Sequence, residues 1–254
     1  DISLILGVMS VALFQPLWRN KKRWALLALL ALILGVVGSL ASGAKGGWIS
    51  MPALSWFVVS LLERPTNAKR FAVLGGFVIV AVLVWFFVPF IQDRTSVIMP
   101  AIYEYFVNGK VADGSAGIRL ALWHSAALIF MDNPLFGVGP ATFYVEKLAL
   151  INAGLIPNVM PGIAGPHSQL FNSLYESGIF GPFMVYSIYG SFIWYCRAHF
   201  EQNKALAVTG ILMAVGFIDF GLAEVIWDIN NAGVFFSLMM VLIAGKLSHD
   251  HAKL

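Results

Sequence analysis

Apolar residues arrive along this chain in blocks, not in alternation. Runs over residues 2–18, 24–41, 48–62, 71–91, 179–196, 205–226 and 232–247 are broken by charge only at Asp219, Glu224 and Lys246. A helix rises about 1.5 Å per residue, so roughly twenty such residues cross a bilayer; barrel strands would alternate with period two over about ten. The pattern predicts seven apolar helices, the third short enough to be incomplete or tilted. From Gln92 to Ser177 polar residues, proline and glycine intervene and no run is long enough to span. Within that stretch Ser115 to Met131 reads as a helix, with Ser115 as N-cap and Asp132-Asn133-Pro134 as its stop. The expected fold class is all-α, a polytopic membrane helix bundle with a long, partly helical loop. Its divisions are transmembrane helices over 1–91, a loop domain over 92–177, and transmembrane helices with a tail over 178–254.

Composition agrees: 59% of residues are apolar, 11% are charged, and mean hydropathy is +0.81, well outside the range of soluble domains. The net charge of +3 matters less than where the positive charges fall. If the loops alternate, eleven of the sixteen basic residues lie on one side, in short clusters such as Arg19, Lys21, Lys22, Arg23 and Arg64, Lys69, Arg70. That side is expected to be cytoplasmic. Lys45, the 92–177 loop and the Glu224–Asn231 turn then face outward, as does Asp1. The basic balance thus reports topology, and no nucleic-acid partner is implied. The chain opens at Asp1 without methionine and turns apolar at once, which reads as a missing upstream part and not as a signal peptide. Cys196 has no second cysteine to pair with, and no Cys/His cluster, His-Glu-x-x-His or carboxylate pair at i and i+2 offers a compact metal site. No metal or cofactor is expected.

Topology sorts the five histidines. His199, His249 and His251 fall on the cytoplasmic side; His124 and His167 face outward. His124, beside Trp123 inside the expected helix, reads as a packed or surface residue. His167 follows Gly165-Pro166 and precedes Leu170, Phe171 and Leu174, which share one helical face. That places the imidazole at a helix N-terminus, where the dipole favours the neutral, proton-accepting form; simple capping of the helix is the other reading. Arg119 shares a face with Trp123 four residues on, and either snorkels to headgroups or forks onto a phosphate. Lys45 lies between Gly43 and the pair Gly46, Gly47, where bare backbone lets an anion approach, and an ordinary interfacial lysine fits equally. Glu176, with Gly178 as C-cap, closes the His167 helix and reads mainly as structural. Phe136-Gly137-Val138-Gly139-Pro140 is a turn without the preceding strand that a nucleotide-binding glycine loop requires.

Three pieces, in order, resemble the O-antigen ligase and polymerase superfamily: Ser42-Gly43-Ala44-Lys45-Gly46-Gly47-Trp48; Arg119-x3-Trp123 followed by Asn133-Pro134-Leu135-Phe136-Gly137-Val138-Gly139; and Pro166-His167-Ser168 followed by Glu176-Ser177-Gly178-x2-Gly181. The resemblance covers about residues 24–196 and makes the chain look like the C-terminal part of such a protein. At Lys45 the family commonly carries arginine, so the charge is kept and the bidentate fork is lost. The resemblance implies a glycosyltransferase of the bacterial inner membrane, multi-pass, with its site facing the periplasm. The donor would be a glycan on undecaprenyl diphosphate, the acceptor a sugar hydroxyl of lipid A-core, with membrane lipids as further partners. His167 would take the acceptor's proton and Arg119 would hold the diphosphate, as catalytic residues. Lys45, Gly46, Gly47, Trp123, Ser168 and Glu176 would line the substrate site. A polymerase or a protein O-oligosaccharyltransferase of the same superfamily would use similar residues. A transporter is the alternative from another class, with Asp219 as its one buried carboxylate.

Overall fold

The computed structural model describes residues 2–18, 22–41, 66–87, 89–112, 114–158 and 162–251. The described residues are helical, without strands. In chain order the helices are α1 (Ile2–Trp18), α2 (Lys22–Ala41), α3 (Asn67–Phe87), α4 (Pro89–Ser96), α5 (Ile98–Phe106), α6 (Ser115–Asp132), α7 (Phe143–Asn152), α8 (Gln169–Ser177), α9 (Phe180–Ala198), α10 (Lys204–Ala223) and α11 (Asn230–His251). Each apolar run among the described residues has become a helix; the run at 48–62 and the glycine break at 43–47 lie outside them. The chain divides into two compact units, one of residues 1–77 with 186–254 and the other of 78–185.

In the first unit α1 and α2 pack as closely as their backbones allow. A methyl group on Gly35 would collide with the Ser3 carbonyl, and one on Gly7 would lie 3.0 Å from the Ala31 carbonyl. Leu4, Val8 and Ala12 of α1 pack against Val208 and Leu212 of α10. α10 and α11 are long and apolar enough to cross a membrane, and 67% of the apolar window of α10 is buried against 22% of that of α11. α11 accordingly exposes Val234, Leu238, Val241 and Leu242, and α2 exposes Leu26, Leu30, Ile33, Leu34 and Val37. Such continuous apolar faces have no place in water.

The second unit surrounds a core of Tyr105, Leu122, Ala126, Ile129, Phe143, Leu150 and Tyr175, with the Phe143 and Tyr175 rings 5.1 Å apart. Burying each large side chain contributes about 1.5–3 kcal/mol. α6 corresponds to the helix expected from the sequence, but Gly114, at φ 100°, is its N-cap, and Ser115 is its first residue. The reason is steric: only glycine takes that backbone conformation cheaply. The two helices expected here, α6 and the one after His167 that is α8, are joined by α5 and α7 between residues 97 and 177. For α5 the spacing was present, since Ile98, Ala101, Ile102 and Tyr105 repeat at i, i+3, i+4 and i+7.

The C-terminal ends of α6 and α8 are clasped backbone to backbone. The turn after α6 closes with Gly137 N–H donating to the Asn133 carbonyl at 3.0 Å. Val138 and Gly139 then donate to the carbonyls of Tyr175 and Glu176, at 2.9 and 3.0 Å, and Ile179 donates back to Pro134 at 2.8 Å. These bonds satisfy carbonyls that the end of α8 would leave without partners. Gly137 and Gly178 both have positive φ, 66° and 61°, and a Cβ on either would fall on the other strand of the clasp. A Cβ on Gly181 would fall on the Ser173 carbonyl, so the start of α9 is held against α8 as well. Gly178 is therefore the C-cap expected from the sequence, and it is also one of the points where two backbones touch.

Gly178→Ala should cost about 2 kcal/mol or more, through left-handed strain and backbone overlap together. Gly190→Ala, at a helical position where a Cβ meets nothing within 4 Å, should be neutral or slightly stabilising. Thermal unfolding of the two purified variants in detergent checks this; equal melting temperatures would contradict it.

Candidate functional site

Pro166 is buried, and beyond it the chain turns left-handed at His167, with φ 49°. Ser168 is then extended, at φ −161° and ψ 127°, and serves as the N-cap of α8. His167 thus stands one position ahead of the cap, exposed, just before the helix N-terminus. The capping alternative falls to Ser168, whose carbonyl accepts from Asn172 N–H at 2.9 Å. A non-glycine residue at positive φ is uncommon, although histidine is among the side chains that tolerate it best. Such strain is a reason to look for function.

The geometry of α6 and α8 relates His167 to Arg119. Trp123 of α6 stacks on Phe171 of α8, with ring centroids 5.5 Å apart and planes 15° from parallel. Further along both chains Pro134 meets Ile179 at the clasp. The two helices therefore run in the same direction between these two points. Four positions before the stacked rings lie Arg119 on α6 and His167 just ahead of α8. Arg119 and His167 thus both lie beyond the stacked rings, on the side remote from the clasp, each engaged with neighbours in the structure.

The other expected site residues divide. Trp123 is half-buried at the stack, and its indole N–H is buried with no hydrogen-bond partner among the described residues. Ser168 is 2% exposed beside His167. Glu176 lies at the clasp end, where its carboxylate accepts from the Tyr175 hydroxyl at 3.1 Å, so the structure separates it from His167 by most of the length of α8. Lys45, Gly46 and Gly47 lie outside the described residues. His124 is packed, as expected: its Nδ1 shares a 2.7 Å hydrogen bond with the Tyr105 hydroxyl, tying α5 to α6. Burial pushes that phenol up to about 12. Among the described residues no three histidine, cysteine or acidic side chains gather into a metal-binding group.

One residue escaped the sequence reading. Lys147 of α7 is completely buried, its ammonium donating to the Ile163 carbonyl at 2.7 Å and lying 5.5 Å from the centroid of the Tyr144 ring. Burial lowers its pKa from the usual lysine value. The signal lay in Phe143, Lys147 and Leu150, spaced as one core-facing stripe and all buried. A lysine in the middle position made α7 read as loop and the lysine as one more outward charge.

The described residues are all helical, with two helices long and apolar enough to cross a membrane, and with Arg119 on α6 and His167 just ahead of α8. The chain matches the O-antigen ligase family over residues 30–186, more than half of its length, and it belongs to that family. It is also similar to a protein of Haemophilus influenzae described as an uncharacterized protein, 22% identical over 251 residues, with 96% of this chain and 63% of the relative covered. The chain therefore spans less than two thirds of that relative's length.

Backbone conformation at His167 gives a test that is separate from activity. His167→Gly should hold stability within about 0.5 kcal/mol, because relief of the left-handed strain offsets the extra unfolded-state entropy. His167→Val should lose about 1–2 kcal/mol, since a β-branched residue resists positive φ. Melting temperatures in the opposite order would show that the imidazole's contacts, and not the backbone, dominate at this position.

Proposed function

We propose that the protein is a multi-pass glycosyltransferase of the bacterial inner membrane that works on the periplasmic face. It transfers an O-antigen glycan from undecaprenyl diphosphate to a sugar hydroxyl of lipid A-core. The hydroxyl oxygen attacks the anomeric carbon while the bond from that carbon to the diphosphate oxygen breaks. The electron pair leaves on undecaprenyl diphosphate, the hydroxyl proton passes to His167, and the anomeric configuration inverts. Arg119 presents its guanidinium fork to the diphosphate as negative charge develops there, with Lys45 as a second cation. No metal takes part in either step.

The observation that carries this reading is that Arg119 and His167 both lie beyond the Trp123–Phe171 stack, on the side of the α6–α8 pair remote from the clasp. A general base and an anion-binding group must converge on one reacting centre, and residues distant in sequence do so only when the fold aligns them. Family membership supports the reaction class. The exposed apolar faces of α2 and α11 support a lipid environment, and the clustering of basic residues supports a cytoplasmic side opposite the site. A polymerase would share every one of these features and differ in acceptor alone, so the acceptor is part of the test.

Full-length protein reconstituted with lipid-linked donor and lipid A-core should transfer glycan in the presence of a chelator. His167→Ala and Arg119→Ala should each lose about 10²-fold or more in rate. Undiminished transfer by either variant removes that residue from the mechanism, and loss of activity on chelation removes metal independence. Extension of a second donor molecule in place of lipid A-core would make the protein a polymerase. Transfer absent throughout, with transport abolished by Asp219→Asn, would favour the transporter.

A further inference from the structure

We infer that Lys147 is a positioning residue for His167, acting through the Ile163 carbonyl to fix the short segment that delivers the imidazole to the end of the α6–α8 pair. The inference rests on the reading of His167 as the base and deepens it.

Lys147 occupies a core position on α7, between Phe143 and Leu150, and is fully buried. Methionine would fill much of the same space without bringing a charge out of water. What the ammonium supplies is a strong donor, and it donates to the carbonyl of Ile163, four residues before His167. The intervening Ala164-Gly165-Pro166 has one flexible member, Gly165, followed by a buried proline of fixed φ. Ile163 also packs against the core of this unit. The segment is thus pinned at Ile163 by a hydrogen bond and by packing, and at Ser168 by the first turn of α8. His167 stands exposed and left-handed between these points. The lowered lysine pKa carries the same sign. The folded chain holds the Lys147 proton less tightly than the unfolded one, so burial of the ammonium opposes folding at neutral pH, and Lys147→Met removes that opposition while losing the bond to Ile163.

The test uses full-length, reconstituted protein. Lys147→Met should lower kcat by about 10-fold or more while KM for donor and acceptor stays within about 2-fold, because a misplaced base slows the chemical step and leaves binding intact. Nitroxide labels on Ala164→Cys and Ala149→Cys, both exposed positions, report motion independently of activity. With Lys147→Met the label at 164 should become mobile and the label at 149 should not. A kcat within about 2-fold of the parent, an unchanged label at 164, or both labels loosening together with a fall in melting temperature would each overturn the positioning role. Failure of the underlying reading is distinct: His167→Ala would then still transfer glycan, whatever Lys147→Met does. With His167→Ala inactive and Lys147→Met like the parent, the positioning role alone falls.

Discussion

The second unit depends on a clasp made almost entirely of backbone. Three hydrogen bonds join residues 134–139 to residues 175–179, and they form because Gly137 and Gly178 have no side chains where the two segments meet. Carbonyls at the end of one helix become the acceptors for the turn that ends another, so neither terminus needs water or a side-chain cap. Hydrophobic burial alone would hold α6 beside α8 without choosing a register. The clasp chooses it, and the Trp123–Phe171 stack keeps it along the pair.

Family resemblance resided in short sequence pieces, and the structure gives those pieces a physical meaning. Asn133 to Gly139 and Glu176 to Gly181 are the two halves of the clasp, while Arg119-x3-Trp123 and Pro166-His167-Ser168 stand at the other end of the same helices. What looks like two separate motifs is one parallel pair seen twice. Nothing in the spacing of either piece reveals this, because the pairing is set by contacts between residues some forty positions apart.

Much of the helical content was legible from hydropathy, since long apolar runs have few alternatives to being helices in lipid. The Gly178 cap was legible too, because glycine after a helical face has one common use. The one-residue error at Ser115 arose because Gly114 stands at a conformation that outranks a hydroxyl cap. Proline followed by histidine and serine suggests a helix start, and the helix does start there; the left-handed turn of His167 just ahead of it leaves no mark in the sequence. Lys147 was invisible for a different reason. Pattern reading assigns charged residues to water, and a buried lysine with a carbonyl partner breaks that rule.

The clasp also acts as the fulcrum of a lever. His167 precedes the far end of α8, about 13 Å from the clasp by the length of a nine-residue helix. Over that arm a tilt of roughly 5° moves the far end by about 1 Å, an error that costs on the order of 10²-fold in rate when reacting groups must align. Angular stiffness at two glycines and three hydrogen bonds would thus set the tolerance of the chemistry proposed for the opposite end. In mechanical terms, the pivot carries none of the reacting groups and governs their aim.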